Sequence, residues 1–320
     1  MAKYRNALPQ VSGDFFMTDG GIETTIIFQE GLELPYFAAF DLFKTPEGAG
    51  VLRKYFRTYA KLAKRFQTGL VLETATWRAN LDWGKKLGYG QDALAEANRR
   101  AVRLIEEIRS EYETPQTPIV ISGCVGPRGD GYVPEQAMSA KEAEDYHSMQ
   151  IETFADTAAD LATAITMNYT EEAIGLARAA KQANMPVVIS FTVETDGRLP
   201  TGQSLGDAIL QVDEATSSYP AYFMINCAHP THFDQIGHGD EPWRDRIRGL
   251  RANASRMSHA ELDEAPELDA GNPVELGREY AELRKQQLRR LNVMGGCCGT
   301  DHRHIEQIAS ACLPLFREAS

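Results

Sequence analysis

Cys297 and Cys298 stand side by side in the stretch Met294-Gly-Gly-Cys-Cys-Gly-Thr300. Neighbouring thiols do not readily bond each other, because a disulfide needs a set separation between the carbons that carry the sulfurs. Glycines on both sides let the backbone turn tightly and approach another group closely. A third thiol, Cys227, ends the apolar run Tyr222-Phe-Met-Ile-Asn-Cys227. Three thiolates from two strand ends suit a catalytic Zn2+ site, which takes three protein ligands and leaves the fourth position open. Zinc among three thiolates is a weak Lewis acid toward carbonyls. It is a good host for an exogenous thiol, which it converts to thiolate at neutral pH. A thiolate held in this way attacks an electrophilic methyl carbon. The chemistry these residues suit is methyl transfer from a small sulfonium or ammonium (onium) donor to a small-molecule thiol acceptor.

Such ligands need strand ends that converge. Short apolar runs, many of them rich in β-branched residues, predict strands at 15–17, 70–72, 119–122, 161–165, 187–191, 222–225, 247–250 and 291–294. Amphipathic stretches with start signals lie between them. Thr45-Pro46 is a cap followed by proline at the first helical position. Ser139-Ala-Lys-Glu142 reads as a capping box opening a helix toward Asp160. Further helices are expected over 92–113, from Thr170 to the stop at Asn184-Met-Pro186, and from Asn272-Pro273 to Leu291. Strands alternating with helices predict an α/β fold, a (β/α)8 TIM barrel, as a single domain over 1–320 with loop insertions at 35–43 and 237–246. A doubly wound sheet fits less well, because Thr18-Asp-Gly-Gly-Ile22 lacks the third glycine of the dinucleotide-binding loop. The acidic, alanine-rich run 257–272 reads as a surface loop or short helix.

Active faces of such barrels lie at the strand C-termini. That places Asp19-Gly20-Gly21, Glu73, Gly126-Pro127, Asp196-Gly197-Arg198, Cys227 and the Cys297-Cys298 pair around one mouth. The chain resembles the homocysteine S-methyltransferase family over nearly its whole length. The resemblance is carried by Thr18-Asp-Gly-Gly21, Gly126-Pro127, Ser190-Phe-Thr-Val193 with Asp196-Gly-Arg-Leu199, Asn226-Cys227 and Gly295-Gly-Cys-Cys-Gly-Thr300. It implies a TIM barrel in which Cys227, Cys297 and Cys298 hold zinc and homocysteine becomes methionine. It further implies that Asp19 and Gly20 lie near the amino-acid acceptor. Three stretches depart from the family pattern. Ile165 stands where members carry a glutamate for the amino group of homocysteine, Thr76-Trp-Arg78 replaces a Thr-Tyr-Gln type motif, and Arg251-Ala-Asn-Ala-Ser-Arg256 replaces a Pro-Asn-Ser-Gly type stretch.

Other residues carry two readings. Glu73 is an acceptor-binding carboxylate or general base, or else a satisfied structural one. Asn226 orients the metal shell or ends its strand. Trp77, Trp83 and Tyr89 cage an onium donor or pack the insertion. Cys124 and Cys312 read as core thiols. His302 and His304 read as a solvated helix face, and His229 as a loop residue with a possible ligand contact. A non-catalytic alternative is a zinc- or redox-sensing barrel, with a fourth protein ligand such as His229 closing the site. The net charge is −12 and no basic stripe offsets it, so nucleic acid is not an expected partner. No apolar stretch reaches the roughly 18 residues of a membrane span, and the first residues lack a signal-peptide core. Five cysteines in 320 residues fit a cytoplasmic setting with reduced thiols, and oligomers remain compatible with everything above.

Overall fold

The computed structural model describes residues 1–134, 137–232, 239, 241–264 and 267–317. Eight strands close a barrel in sequence order: β1 (Phe16–Met17), β2 (Gly69–Glu73), β3 (Ile119–Val125), β4 (Leu161–Met167), β5 (Val187–Thr192), β6 (Tyr222–Asn226), β7 (Ile247–Ala252) and β8 (Val293–Gly296). Every neighbouring pair is parallel, including the closing pair in which Phe16 faces Val293 and Met17 faces Met294. All eight expected runs are strands. Several run on past their apolar stretch to polar residues such as Glu73 and Asn226, because inside a closed barrel a polar side chain can point at other strands instead of water.

Helices Pro46–Phe66, Gln91–Tyr112, Ala140–Ala155, Thr170–Gln182, Leu205–Thr216, Pro273–Gln286 and His302–Cys312 form the outer layer. The start signals act as expected: Thr45 Oγ1 accepts from Gly48 N, Ser139 and Glu142 form a reciprocal capping box, and Asn272 accepts from Val274 N and Glu275 N. The helix opened by Ser139 ends at Ala155, short of Asp160. Asp160 is needed elsewhere, since its carboxylate accepts from Arg109, Ile121 N, Lys3 N and Tyr4 N. Between β6 and β7 the described residues show a 3-10 turn, Pro242–Arg246, and no α-helix. Most of the expected insertion at 237–246 before that turn lies outside the described residues. The insertion at 35–43 is a pair of 3-10 turns that buries Phe40 and Phe43 and exposes Tyr36 and Phe37. The acidic run contains one short helix, His259–Glu264. No helix among the described residues is long and apolar enough to cross a membrane.

The core has two compartments. The larger lies between sheet and helices, and the smaller fills the lower barrel with Phe16, Val71, Val120, Leu161, Val188 and Tyr222. Two residues further along most strands the interior turns polar, as side chains alternate between faces. Ser122 Oγ and Thr163 Oγ1 are 2.8 Å apart, Ser190 Oγ donates to Asn226, and Glu73 and Arg251 share this level.

Asn226 fixes an irregular point of the wall. The β4–β5 register shifts between Ala164 and Met167, and Thr166 there has φ 66°. Positive φ is unfavourable for a β-branched residue and persists only when its surroundings enforce it. Asn226 enforces it, with Oδ1 accepting from Thr166 N at 2.9 Å and Nδ2 donating to Thr166 Oγ1 at 2.9 Å. Asn226 is therefore a clamp between strands, a role neither sequence reading contained.

Two outcomes are expected. Asn226→Ala leaves three buried partners unpaired and should lower stability by about 2–4 kcal/mol in urea unfolding. A loss under about 1 kcal/mol would remove the clamp. Glu73 is 5% exposed, and burial pushes its carboxyl up to about 7 against the opposing pull of Arg251. The unfolded chain then ionises Glu73 first, from about pH 4.3. The stability this carboxyl contributes is full below that pH and is lost as pH rises through about 7. Glu73→Gln should thus gain stability relative to the parent between pH 4.5 and 8, by on the order of 3 kcal/mol. Parallel curves for the two proteins across that range would refute the assignment.

Candidate metal centre and barrel mouth

The loops after β6, β7 and β8 bind each other through their backbones and bring the three thiols together. Cys227 N donates to Arg251 O, Cys297 N to Ala252 O, and Ala254 N to Cys298 O. Asn253 Oδ1 accepts from Cys298 N at 3.1 Å. Cys227 turns out of β6 with φ 55°, and Gly299 follows the pair with φ 78°, a left-handed conformation that suits glycine. The Sγ atoms of Cys227, Cys297 and Cys298 all lie within 4.8 Å of one another. Cys227 and Cys297 meet as a disulfide, their Cα atoms 5.5 Å apart, while Cys298 lies outside the bridge and is exposed. The donor set fits zinc. Tetrahedral ligands at about 2.3 Å from the metal lie roughly 3.8 Å apart, so three thiolates released from the bridge need only small side-chain movements.

The β1 end interlocks with this loop. Gly21 N donates to Thr300 O and Oγ1, both at 3.1 Å, and Gly296 N donates to Asp19 O at 3.0 Å. A Cβ on Gly21 would come within 2.5 Å of the Cys297 carbonyl, so glycine is required there by close approach. Asp19 is buried and fully engaged: Oδ1 accepts from Arg251 Nη1 at 2.6 Å and Oδ2 from the Tyr55 hydroxyl at 2.8 Å. Arg251 also donates to Gly296 O and Gly20 O. Burial disfavours the Arg251 charge, but Asp19 and then Glu73 more than offset this and raise its pKa. The Gly20 carbonyl accepts from both Arg251 and Tyr55, and Tyr59 closes over the glycine. The four non-thiol candidates thus fall into place at different depths. Asp19 and Gly20 abut the thiol loop, Asn226 precedes Cys227 in the wall, and Glu73 sits deeper, facing Arg251 with Oε2 unpartnered. Ile165 is buried at the β4 end.

Other residues at the mouth carried no local sequence signal. The Tyr132 hydroxyl lies 4.0 Å from Cys298 Sγ, and its ring stacks on His259 with centroids 4.1 Å apart. His259 Nε2 is 2.5 Å from Cys227 O and its Nδ1 is 3.1 Å from Glu194 Oε1. Arg251 could have been found from its position, as a charge ending the apolar run of β7.

Several expectations are corrected. The aromatic cage is occupied by the protein's own cations. Arg78 lies 3.9 Å from the Trp77 ring centroid and 4.0 Å from that of Trp83, which Lys86 also covers, while Tyr89 bonds Asp41 in the insertion. His304 is fully buried, capping its helix with Asp301 and reaching Ala270 O, whereas His302 is exposed. His229 lies outside the thiol cluster. Its nitrogens face Glu279 and Thr231, and burial, with Arg256 adding, lowers its pKa to about 4. It borders a polar cleft of about 470 Å³ behind Cys227. Arg198 belongs to an exposed turn, donating to Gly202 O. Cys124 and Cys312 are core thiols as expected.

The solved structures most like this one include the homocysteine methyltransferase MmuM from Escherichia coli. Its oxidised form matches with TM-score 0.71 at 18% identity, and its metallated form with TM-score 0.71 at 16% identity, each covering 96% of this chain and 99% of the other. The likeness therefore concerns the fold and does not separate the bridged from the metal-loaded state. Among curated proteins, a methionine synthase from Mycobacterium leprae is 25% identical over 279 residues, 81% of this chain. The chain spans only 20% of the length of that relative. The sequence profile of the homocysteine S-methyltransferase family matches residues 16–312, nearly the full barrel, and the chain belongs to that family.

Proposed function

We propose that this chain is a zinc-dependent S-methyltransferase. It moves a methyl group from a small sulfonium or ammonium donor to a thiol at the three-cysteine centre, with homocysteine giving methionine as the first reading. The single observation that carries this is the convergence of the Cys227, Cys297 and Cys298 sulfurs at the barrel mouth, with no protein ligand in fourth position among the described residues. An open fourth position is the mark of a reactive site, whereas a sensor that only stores metal closes its shell. Zinc held there supplies the charge that ionises the acceptor thiol near neutral pH.

The chain's own residues do the remainder. Cys227, Cys297 and Cys298 form the ligand wall, and they must be reduced before they can bind metal. Asp19 and Gly20, fixed by Arg251 and Tyr55, shape the acceptor side of the mouth, with Asn226 and Glu73 setting the strands beneath them. In the transfer, the acceptor sulfur forms the new S–CH3 bond while the C–S or C–N bond of the donor breaks. The bonding pair stays on the donor, which leaves neutral, so no base on the protein is required. Holding sulfur and methyl carbon in line supplies much of the rate. A reducing cytoplasm would keep the thiols available.

Ile165 favours a second reading of the acceptor. An apolar side chain cannot pair with an ammonium, so a thiol without an α-amino group fits that part of the wall as well as homocysteine does.

Reduced protein should bind one zinc per chain, and Cys298→Ala should lose most of it, as read by metal analysis. With homocysteine and a panel of S-methylmethionine, S-adenosylmethionine, betaine and dimethylsulfoniopropionate, zinc-dependent methionine should form and fall at least about a hundredfold in that variant. Turnover with 3-mercaptopropionate in place of homocysteine would establish the second reading. No turnover with any pair at full zinc occupancy would sink methyl transfer.

A further inference from the structure

The mouth holds a buried cation with no carboxylate in direct contact among the described residues, although Asp130 and Glu23 act on its charge from further off. Arg78 is 5% exposed, yet it makes no ion pair among the described residues. Of its five N–H groups, one finds an acceptor, the Gly129 carbonyl at 2.9 Å, and Nε is buried without a partner. The Trp77 and Trp83 rings both pack against the guanidinium, at 3.9 and 4.0 Å, which restricts it and leaves its unused N–H groups to bind a partner. A buried charge left in this condition is costly unless a partner arrives. A planar guanidinium held in place is suited to one partner above others, a carboxylate taken two oxygens at a time. Burial lowers the Arg78 pKa to about 10, which still leaves it charged at neutral pH.

The position is close to the chemistry. Gly129, which holds Arg78, belongs to the same loop as Tyr132, whose hydroxyl reaches toward Cys298 Sγ. Across the mouth stands Glu23, half-buried and likewise without an ion-pair partner among the described residues. Its neighbour Thr24 bonds Gly299 N, beside the thiol pair. Burial, with Asp19 adding, pushes Glu23 up to about 7, and Arg78 and Arg251 both act on its charge. A cation and a carboxylate, neither in a direct ion pair among the described residues, thus act on each other's charge near the thiol loop.

We infer that Arg78 binds the carboxylate of a zwitterionic substrate at the barrel mouth, with Glu23 receiving its cationic end. This specificity rests on the methyl-transfer reading for the ligand class, namely small onium carboxylates or amino-acid thiols. The pair would also offer a place for the positive group that Ile165 cannot hold. An onium compound lacking a carboxylate gains nothing from Arg78 and binds without its help.

Calorimetric titration of reduced, zinc-loaded protein tests this without any turnover. The donor arm compares glycine betaine and dimethylsulfoniopropionate with choline, and the acceptor arm compares homocysteine with 2-aminoethanethiol. Arg78→Gln should weaken the carboxylate-bearing ligand of one arm by about ten- to a hundredfold and leave its carboxylate-free counterpart within about twofold. The arm that responds identifies whether donor or acceptor supplies the carboxylate. Arg78→Lys, which keeps the charge but not the fork, should lose part of that affinity. Glu23→Gln should weaken the same ligand. Unchanged zinc content and unfolding temperature show that the variants are folded. Equal losses for ligands with and without a carboxylate, no loss at all, or no binding by the parent protein in either arm would each overturn the assignment. Zwitterion binding without methyl transfer would leave it standing and defeat only the methyl-transfer reading. Transfer indifferent to Arg78 would do the reverse.

Discussion

The buried ion pair between Asp19 and Arg251 is the contact on which the barrel mouth depends. One guanidinium spans three loops: it bonds the Asp19 carboxylate, the Gly20 carbonyl and the Gly296 carbonyl. It therefore ties the end of β7 to the end of β1 and to the strand that leads into the thiol pair. Desolvating two charges is expensive, and such a pair holds only when its remaining hydrogen-bonding groups are also met. Here Tyr55 meets the second Asp19 oxygen and Glu73 adds a further negative charge below. The arrangement is better explained by position than by net stability, because it sets where three loops sit relative to one another.

From that anchor the thiol site follows by close backbone packing. Gly21 admits the Cys297 carbonyl, Thr300 bonds back to Gly21, and Asn253 orients Cys298. Cys227 arrives from β6 in a left-handed turn, next to the residue that clamps the β4 bulge. The sulfurs are thus carried by rigid strand ends and short loops, a placement that favours precise ligand geometry. The same closeness lets Cys227 and Cys297 bridge, as neighbouring thiolates tend to do on oxidation.

The mouth beyond the thiols has a different character. Tyr132 and His259 stack over one side, and the aromatic pair Trp77 and Trp83 enclose Arg78 on another. Of the stretches that differ from the usual family pattern, Ile165 and Arg78 lie away from the three thiols, whereas Asn253 and Ala254 in the 251–256 stretch bond Cys298 directly.

The sequence by itself determined the barrel and singled out the three thiols that converge at its mouth. Short apolar runs and helix caps are local signals, and the glycine-flanked thiol pair is a local motif, so each could be read without knowing what lay across the chain. It also placed Asp19, Gly20, Glu73 and Asn226 at strand ends. Only the tertiary structure decided what those residues do, because a charge or amide is defined by its partners. Asp19 is taken up by Arg251, 232 residues away, and Asn226 by Thr166, 60 residues away. Whether Trp77 and Trp83 pack or cage a donor was open from sequence, and the fold settles it by packing both rings against Arg78. His304 changed from a surface residue to a buried cap for the same reason. Spacing along the chain records which elements form, whereas pairing across the barrel mouth is settled only when eight strand ends meet.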